Sequence, residues 1–408
     1  MTDMVAARPA HVPEDHVVDF DLYAPPGSRS DLHRAWSMLQ AEGVPDIVWT
    51  PRNGGHWIVT RAHLINEVMS DYTRFSSNSI IIPKETTPNR LLPIMVDPPA
   101  HRPYRMLLNS SLSPKMVARA QERIRSVAAE LVDAIRPSGN CEFVSAYAEQ
   151  LPIRIFLSMA DLPLTDAATL RRYADAINRP DPETDWEGEA SPFSWALKGF
   201  FDYLRPVLDE RRGSNRDDIL SRIVNGEVDG RALTAEEALQ ICTQTLVGGL
   251  DTVVNFLGFI MVHLARYPSD REELVADPTL IPVAIEEMFR RYPIVTIGRE
   301  VAKDVEYAGV RLRKGDMIAT PTPLAGIDDR VNPSPMNVDF HRASSEHTTF
   351  GNGAHRCPGA QLARTEIRIT LEEWLSRIPD FSLMPDHDIR YAGGLTATVE
   401  QVHLVWPR

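Results

Sequence analysis

The spacing of apolar residues along the chain predicts a fold made mostly of helices. Apolar positions recur at helical spacing over residues 31–42, 61–70, 114–162, 163–179, 192–213, 234–267, 269–276, 281–291 and 360–375, with a break at 137–140. Short apolar runs at 47–50 and 56–59 are separated by Asn53-Gly54-Gly55, a signal typical of a β-hairpin. Further short strands are predicted within 295–320 and 380–406. The pattern therefore indicates a mainly α fold with small β-sheets.

One domain is expected to hold nearly the whole chain. Residues 1–30 carry several prolines and no regular pattern, and they are predicted to form an irregular arm before a single domain over residues 31–408. The chain shows no internal repeat. Its polar, acidic segment at 180–192 is predicted to be a surface loop between two helices. No linker is extreme enough to divide the chain further.

The helix predicted over 234–267 has an unusual middle. Gly248 and Gly249 stand inside an apolar run, and each weakens a helix by roughly 1 kcal/mol relative to Ala. Asp251 and Thr252 come just after them. Destabilising glycines inside a helix indicate one of two features: a flat ligand packed against the helix backbone, or a local break in the hydrogen bonds of the helix. A buried, hydrogen-bonded Asp251 without a chemical role is the alternative.

Composition and charge narrow the classes of partner. The 408 residues are 43% hydrophobic and 24% charged, as in ordinary globular proteins, and the formal net charge is -13 with a pI near 5.4. So acidic a protein is not expected to have nucleic acid or anionic membrane as its main partner. The apolar run at 246–265 has about the length of a membrane span. Asp251 and Asn255 within it would be costly in lipid, so a core helix is expected.

The cysteines and the N-terminus point to a reducing, cytoplasmic compartment. Cys141, Cys242 and Cys357 lie far apart and show no metal-type pairing, so no disulfide framework is expected. Residues 1–19 lack an apolar core, and they are expected to be neither a signal peptide nor a membrane anchor.

Cys357 lies in a glycine-rich segment, residues 350–359, just before a predicted helix. Three effects could stabilise a thiolate there: the N–H groups of a tight loop, the positive end of the following helix, and a bound metal ion. For a lone cysteine, a buried structural position in a turn is the alternative. The residues around Cys357 favour the thiolate.

The fixed residues of this segment resemble the haem-binding signature of the cytochrome P450 monooxygenases. The match comprises Phe350, Gly351, Gly353, His355, Cys357 and Gly359. The resemblance extends over essentially the whole chain and is nearest to the bacterial camphor-hydroxylase group. It implies the P450 fold, with haem b held between the long central helix and the cysteine-bearing loop. It also implies that the Cys357 thiolate is the axial ligand of the iron.

The resemblance implies a set of cofactor-binding residues. These are His101, Arg105, Gly248, Arg299, Phe350, His355, Cys357 and Gly359. His101 and Arg105 stand at i, i+4 on one face of a helix that Asp97 is expected to cap. Paired cations on one face suit a dianionic ligand, and the resemblance makes that ligand the haem propionates. A solvated helix face is the alternative for the two basic residues.

Two further pairs receive roles from the same resemblance. Asp251 and Thr252 are expected to be catalytic, since an acid and an alcohol after two glycines match the family's oxygen-activation motif, where they deliver protons. Glu287 and Arg290 are expected to be a buried ion pair that supports the haem loop, although Glu and Arg at this spacing commonly form a weak surface pair.

The substrate pocket is expected around the distal side of the haem. Its lining residues are expected to be Ile80, Asn89, Leu91, Ile94, Gln244, Val247, Val295, Leu395 and Thr396. By position, Asn89 replaces a tyrosine that hydrogen-bonds the ketone in the camphor enzyme, Ile80 replaces an aromatic residue, and Gln244 replaces an aliphatic one. Ile297 stands where that enzyme has a carboxylic residue near a propionate. A small, mostly apolar guest with one polar handle is expected, such as a terpenoid or norisoprenoid ketone, and camphor itself is disfavoured.

The resemblance implies a cytoplasmic, monomeric monooxygenase that hydroxylates an unactivated C–H bond with O2. Electrons would come from NADH through a ferredoxin reductase and a [2Fe-2S] ferredoxin. Arg102 and Arg356 are candidate ferredoxin contacts, with a solvated surface as the alternative. A haem-thiolate peroxygenase or isomerase is one rival class, against which the Asp251–Thr252 pair argues. A non-catalytic small-molecule binding protein is the other, and it predicts no red-shifted Soret band in the ferrous–CO complex.

Overall fold

Helices make up most of the fold, and they begin and end close to where the apolar periodicity places them. The computed structural model describes residues 4–85, 90–180, 188 and 191–407. Its α-helices are α1 (Leu32–Ser37), α2 (Ala62–Ser70), α3 (His101–Ser111), α4 (Pro114–Ile135), α5 (Gln150–Met159), α6 (Ala167–Asn178), α7 (Pro192–Arg211), α8 (Ile219–Val224), α9 (Ala235–Leu250), α10 (Thr252–Arg266), α11 (Pro268–Ala276), α12 (Ile281–Arg291), α13 (Thr322–Gly326) and α14 (Ala360–Arg377). A π turn, Val144–Ala148, precedes α5.

The strands are short and are gathered into small sheets. They are β1 (Ile47–Thr50), β2 (His56–Val59), β3 (Phe75–Ser76), β4 (Asn140–Glu142), β5 (Glu227–Val228), β6 (Arg231–Ala232), β7 (Thr296–Val301), β8 (Val305–Tyr307), β9 (Val310–Leu312), β10 (Met317–Pro321), β11 (Ser382–Leu383), β12 (Tyr391–Ala392), β13 (Thr398–Val399) and β14 (His403–Val405). One sheet has the order β1-β2-β10-β7-β3, another has the order β11-β14-β4, and the remaining pairs are two-stranded. The structure thus confirms a mainly α fold with small β-sheets.

The predicted hairpin forms at the expected residues. Ile47 pairs with Val59 and Trp49 with Trp57 in the antiparallel register of β1 and β2. Asn53, Gly54 and Gly55 all have positive φ in the turn between them. A Cβ at Gly55 would lie 2.8 Å from the Trp49 ring, so only glycine fits that close approach.

Two apolar cores fill the interior, and they meet at the middle of the chain's longest helical segment. One core surrounds the five-stranded sheet, α4, α10, α12 and α14, and the other lies among α5 to α9. Leu250, the last residue of α9, belongs to the second core, whereas Val254 in α10 belongs to the first. Asp251 lies between these helices, so the acid stands where the two cores join.

The segment Ala235–Arg266 is apolar and long enough to cross a membrane, but it packs inside the protein. Its most apolar window is 78% buried against the rest of the fold. The chain therefore uses this segment as a core helix, as the cost of burying Asp251 and Asn255 in lipid predicts.

Two expectations about helix ends are corrected. Asp97 does not cap α3, because that helix begins at His101 with Ala100 at its N-cap. The Asp97 carboxylate accepts hydrogen bonds from the Ser76 hydroxyl and the Ser77 N–H, and thus ties the start of α3 to the end of β3. The helix expected over 31–42 is also shorter, since α1 ends at Ser37 and continues only as a 3₁₀ turn to Gln40.

Candidate active site

The cysteine loop is a tight turn that precedes α14. The N–H of Cys357 donates to the carbonyl of Phe350 at 2.7 Å, which closes the loop. Gly351 and Gly353 have φ values of +71° and +67°, in the left-handed region that favours glycine. A Cβ at Gly353 would stand 2.7 Å from the Cα of Ser70, so the glycine also lets the loop pack closely against α2.

The environment of the Cys357 sulfur contains opposing influences on its ionisation. Cys357 has solvent-accessible surface, yet protein surrounds it on most sides, and this desolvation raises the pKa of its thiol. The backbone N–H groups of Gly359 and Ala360, at the start of α14, and the charge of Arg105 oppose that rise. These donors stabilise a negative sulfur, which is the form that binds a metal ion.

Phe350 anchors the loop to the core. Its ring meets that of Phe289 on α12 edge-on, with 4.7 Å between ring centroids, and the Arg364 guanidinium lies 4.5 Å from the centre of the Phe350 ring. Arg364 is itself fixed by Glu286 through two hydrogen bonds of 2.6 and 2.8 Å. The loop is therefore held from α12 and α14, independently of any cofactor.

Four basic side chains from three parts of the chain lie close together beside this loop. The rings of His101 and His355 have centroids 4.4 Å apart, although the residues are far apart in sequence. Burial is the main cause that lowers the pKa of His355 to about 3, and the nearby charges of Arg299, His101 and Arg105 contribute to the same shift. The Arg105 guanidinium donates to the carbonyl of Arg356, next to Cys357.

These basic groups lack acidic partners among the described residues, and a dianionic ligand would supply such partners. His101 and His355 each keep a buried Nε2 atom without a hydrogen-bond partner in the part of the chain that the structure describes. Arg299 is 3% exposed, and among described residues its guanidinium donates only to the Gly298 carbonyl. Burial lowers the pKa of Arg299 to about 10, opposed by the charge of Asp97.

Buried cationic groups that lack anionic partners are costly. Two carboxylates would supply what they lack, and the haem propionates meet that description. Ile297, where the camphor enzyme has a carboxylic residue, adds no negative charge here. The basic residues present therefore fit the two carboxylates of haem b, and Cys357 lies in the loop beside them.

The long central helix is broken at the acid–alcohol pair. Asp251, between α9 and α10, has φ -124° and ψ -44°, outside the helical geometry of its neighbours. The Thr252 hydroxyl donates to the carbonyl of Gly248 at 3.3 Å, across the break. A local opening of the hydrogen-bond ladder, one of the two explanations for the weak glycines, is therefore observed.

The two glycines face different surroundings. A Cβ at Gly249 would overlap the ring of Phe156, so Gly249 is required for close packing of α9 against α5. A Cβ at Gly248 would meet nothing within 4 Å. Gly248 therefore presents bare backbone to open space, where a flat ligand could approach.

Asp251 is fully buried and is held by the end of α6. Its two carboxylate oxygens accept hydrogen bonds from the Arg179 guanidinium at 2.8 and 2.9 Å, and one accepts a third from the Asn178 amide at 3.1 Å. Desolvation would lower the pKa of Arg179, but the charges of Asp251 and Asp175 raise it overall. The acid is thus an ion pair that solvent does not reach directly.

The same contacts reach the C-terminal loop. Arg179 donates to the carbonyl of Thr396 at 3.0 Å, and Leu395 donates its N–H to the carbonyl of Asn178 at 3.0 Å. One cluster therefore joins α6, the helix break and the loop at 395–396. Sequence reasoning missed Asn178 and Arg179, because a cation at the end of α6 carries no local signal that its partner is Asp251.

Most of the expected pocket residues lie in one apolar cluster. Ile80, Leu91 and Val247 are buried members of the α5–α9 core, and Ile94 and Leu395 pack against it. Val295 packs against the other core, and its backbone pairs with Thr396. Gln244 is half-buried on α9, one turn before Gly248. Asn89 lies outside the described residues.

Glu287 and Arg290 form the buried pair that was expected of them. The carboxylate accepts two hydrogen bonds from the guanidinium at 2.7 and 2.8 Å, and both side chains are fully buried. Arg290 also donates to the carbonyls of Gly326, Pro335 and Asn337. Burial alone would raise the pKa of Glu287, but the hydrogen bonds and charge of Arg290 lower it overall. The pair fastens α12 to the segment that leads into the cysteine loop.

Known proteins resemble this chain in sequence and in fold. A family model described as cytochrome P450 matches residues 189–390. Probable cytochrome P450 127A1 of Sinorhizobium fredii is 33% identical over 98% of this chain and 96% of its own length. The crystal structure of CYP101J2 matches with a TM-score of 0.89 and 43% identity, covering 99% of this chain and 100% of that one. That of CYP101C1 has a TM-score of 0.88 and 37% identity, with 98% and 100% covered.

Proposed function

The chain belongs to the cytochrome P450 family of haem b-dependent monooxygenases, and we propose that it hydroxylates a C–H bond of a small, mostly apolar terpenoid-like molecule. The observation that carries the proposal is the opened central helix. There, Thr252 stands beside the bare backbone of Gly248 and next to the buried, ion-paired Asp251. A protein that merely bound a small molecule would have no use for an interrupted helix with a buried acid and alcohol.

Haem, when bound, supplies the activation of O2 and the transfer of one oxygen atom to the substrate. The chain's own residues would hold it: Cys357 would bind its iron, and His101, Arg105, Arg299 and His355 would bind its propionates. The Thr252 hydroxyl can exchange its bond to Gly248 for a bond to a ligand on the distal side. It can then present a proton there.

Asp251 is positioned to resupply that proton. Because its carboxylate is occupied by Arg179 and Asn178, it must release one of these partners before it can accept a proton from solvent. The arrangement keeps solvent away from the Asp251 carboxylate itself and places that acid one residue away from Thr252.

The substrate proposal rests on the character of the pocket walls. Ile80, Leu91 and Val247 are buried aliphatic residues of one cluster, with Ile94 and Leu395 against it. Such walls favour a compact hydrocarbon skeleton. A terpenoid or norisoprenoid ketone meets this requirement and adds one polar handle.

The electron donor is proposed to be an acidic [2Fe-2S] ferredoxin reduced by an NADH-dependent reductase, in the cytoplasm and with this protein as a monomer. Arg102 and Arg356 are exposed near the cysteine loop, on a chain whose overall charge is -13. Met106, 62% exposed, lies one turn along α3 from Arg102. Basic residues around an exposed apolar side chain suit an acidic partner.

Turnover with a reconstituted electron-transfer chain tests the proposal. The purified holo protein, supplied with NADH, a ferredoxin reductase and a [2Fe-2S] ferredoxin, should convert a terpenoid ketone to a product heavier by one oxygen atom. Labelled O2 should put its label into that product, as seen by mass spectrometry. Terpenoid ketones that give no haem spin shift, alongside fatty acids that do, would overturn the substrate class. Product formed from peroxide but never from NADH would overturn the monooxygenase route.

A further inference from the structure

Gln244 is a polar side chain on the central helix to which no described residue is hydrogen-bonded. It is half-buried, and its carboxamide makes no hydrogen bond to any residue that the structure describes. A primary amide carries two N–H donors and one carbonyl acceptor. Gln240, one turn earlier on α9, donates to the Glu236 carboxylate at 3.2 Å. Among the described residues, Gln240 therefore has a hydrogen-bond partner and Gln244 has none.

The position of Gln244 on the helix points it toward the distal side of the proposed haem site. Residues spaced by four share one face of a helix, so Gln244, Gly248 and Thr252 form a row. The hydrogen bond from Thr252 to the Gly248 carbonyl shows that this row continues across the helix break. Because open space adjoins Gly248, Gln244 stands one turn from that open space on the same helix face.

Several residues that flank Gln244 along α9 are apolar and buried. Ile241, Leu246 and Val247 are buried members of the α5–α9 core, which also holds Ile80 and Leu91. A polar group in such surroundings costs free energy unless it forms hydrogen bonds. Within the described residues no protein group supplies them, so water or a bound guest must do so.

We propose that Gln244 is the specificity-determining residue for substrate, and that it recognises a hydrogen-bond acceptor oxygen on a compact apolar skeleton. This inference rests on the proposed monooxygenase function. The carboxamide Nε2 donates to the ketone or ether oxygen of the guest, while the aliphatic walls enclose the rest. One such contact at the top of an apolar pocket fixes the orientation of the guest as well as its affinity. A hydrocarbon of the same shape leaves the amide unpaired.

The test compares two guests that differ by a single carbonyl, the bicyclic terpenoid fenchone and its hydrocarbon fenchane. Dissociation constants are measured on the holo protein from the haem spin shift. The informative quantity is the ratio of the two constants, fenchane over fenchone, because it cancels changes in pocket size. In Gln244→Leu that ratio should fall about tenfold relative to the natural protein, the effect of one lost hydrogen bond at a buried site. Gln244→Met, which keeps the length of the side chain, should do the same.

Gln240→Leu is the matched control, since it makes the same chemical change one turn away at an amide bonded to Glu236. Its ratio should match that of the natural protein. If Gln244→Leu and Gln244→Met leave the ratio unchanged, the inference fails, because the amide then binds water and takes no part in recognition. Each variant is first checked for a red-shifted ferrous–CO Soret band. Loss of that band in the natural protein would instead overturn the proposed function.

Discussion

Three buried carboxylates illustrate how the surroundings of a residue decide its role. Asp251 is paired with Arg179, and Glu287 is paired with Arg290. Glu366, on α14, is 2% exposed and forms no ion pair with a described residue. The pairing with Arg290 lowers the pKa of Glu287, whereas burial raises the pKa of Glu366 to about 8. Asp251 lies at the helix break, Glu287 joins α12 to the segment before the cysteine loop, and Glu366 has no described ion-pair partner to offset its burial.

Removing Arg179 should destabilise the protein through the charge it leaves behind. Arg179→Met strands the buried carboxylate of Asp251, and breaking a buried pair in this way costs about 3–5 kcal/mol. The double variant Arg179→Met/Asp251→Asn removes the stranded charge and should recover most of that loss. Thermal denaturation of the holo proteins measures both effects.

Arg171→Met, on the same helix, is the matched control. Arg171 pairs with the partly exposed Glu149 at 2.5 Å, so its loss should cost about 1 kcal/mol or less. A double variant no more stable than Arg179→Met would contradict the view that Asp251 needs Arg179 as its partner.

Glu366 should make stability fall as pH rises. Its folded-state pKa of about 8 exceeds the ordinary value of 4.5, so between these pH values the folded protein binds a proton that the unfolded chain has released. The stability that proton binding by Glu366 contributes is fully present below pH 4.5, the ordinary pKa. It is lost progressively as the pH rises to about 8, the folded-state pKa. Glu366→Gln removes this loss.

Glu366→Gln should therefore match the natural protein in stability near pH 4.5. Near pH 8 the variant should be more stable by roughly a few kcal/mol. Denaturation midpoints measured across this range give the comparison. Equal midpoints at every pH would show that Glu366 is ionised in the folded state.

At the level of single residues, the sequence allowed prediction wherever chemistry is local. His101 and Arg105 share a helix face, and Cys357 lies in a recognisable loop, so these residues could be named in advance. Arg179 could not, because only the folded chain brings the end of α6 to the helix break. Asp97 was assigned a cap from its position alone, and its contacts with Ser76 and Ser77 depend on a strand 20 residues away.

Among the elements, the break between α9 and α10 has the clearest consequences. Two adjacent glycines weaken the helix, but they do so for different reasons. Gly249 allows α9 to approach Phe156, whereas Gly248 leaves backbone open on the ligand side. The sequence predicted the weakness and its two possible causes. It could not say which glycine served which purpose, since that depends on the packing of α5.

Paired substitutions separate the two glycines. Gly249→Ala forces a methyl group into the Phe156 ring and should destabilise the protein by about 1–3 kcal/mol. Gly248→Ala meets no neighbour and should stabilise the helix by up to about 1 kcal/mol. Its methyl group should nevertheless weaken guest binding, because it occupies the ligand side.

Thermal midpoints and spin-shift titrations on the two variants distinguish these effects. Equal destabilisation by both substitutions would contradict the assignment of Gly248 to open space. Unchanged guest affinity in Gly248→Ala would contradict its place on the ligand side.

For the whole molecule, the positions of the charged residues matter more for partner binding than the net charge does. The chain carries a formal charge of -13, yet Arg102, Arg105 and Arg356 gather around the cysteine loop. A basic surface on an acidic protein attracts an acidic partner to one face.

Arg102→Glu should slow ferredoxin-driven turnover without changing the guest-binding spin shift. The expected rise in the KM for ferredoxin is about three- to tenfold, with a weaker dependence on ionic strength. Arg34→Glu, at an exposed position on α1, makes the same charge change and should leave that KM unaltered. Equal effects from both variants would mean that net charge alone, and no docking face, governs the encounter.

The overall architecture could be predicted in part from the sequence. The helices and the hairpin at 47–59 follow from periodicity and turn residues. The pairing of β2 with β10 does not, because Trp57 and Ile318 come together through contacts spread over the whole chain. Distant pairings of this kind depend on the complete fold, and the resemblance to a known family supplied what periodicity could not.

The ferrous–CO spectrum of the natural protein and of Cys357→His tests the central claim most directly, because the Soret band reports both haem and its axial ligand. The natural protein should show the red-shifted Soret band of thiolate-ligated haem. Cys357→His should retain haem in the cradle of His101, Arg105, Arg299 and His355 but show the unshifted band of imidazole ligation. A red-shifted band that persists in Cys357→His, or one that is absent from the natural protein, would contradict the assignment of Cys357 as the iron ligand.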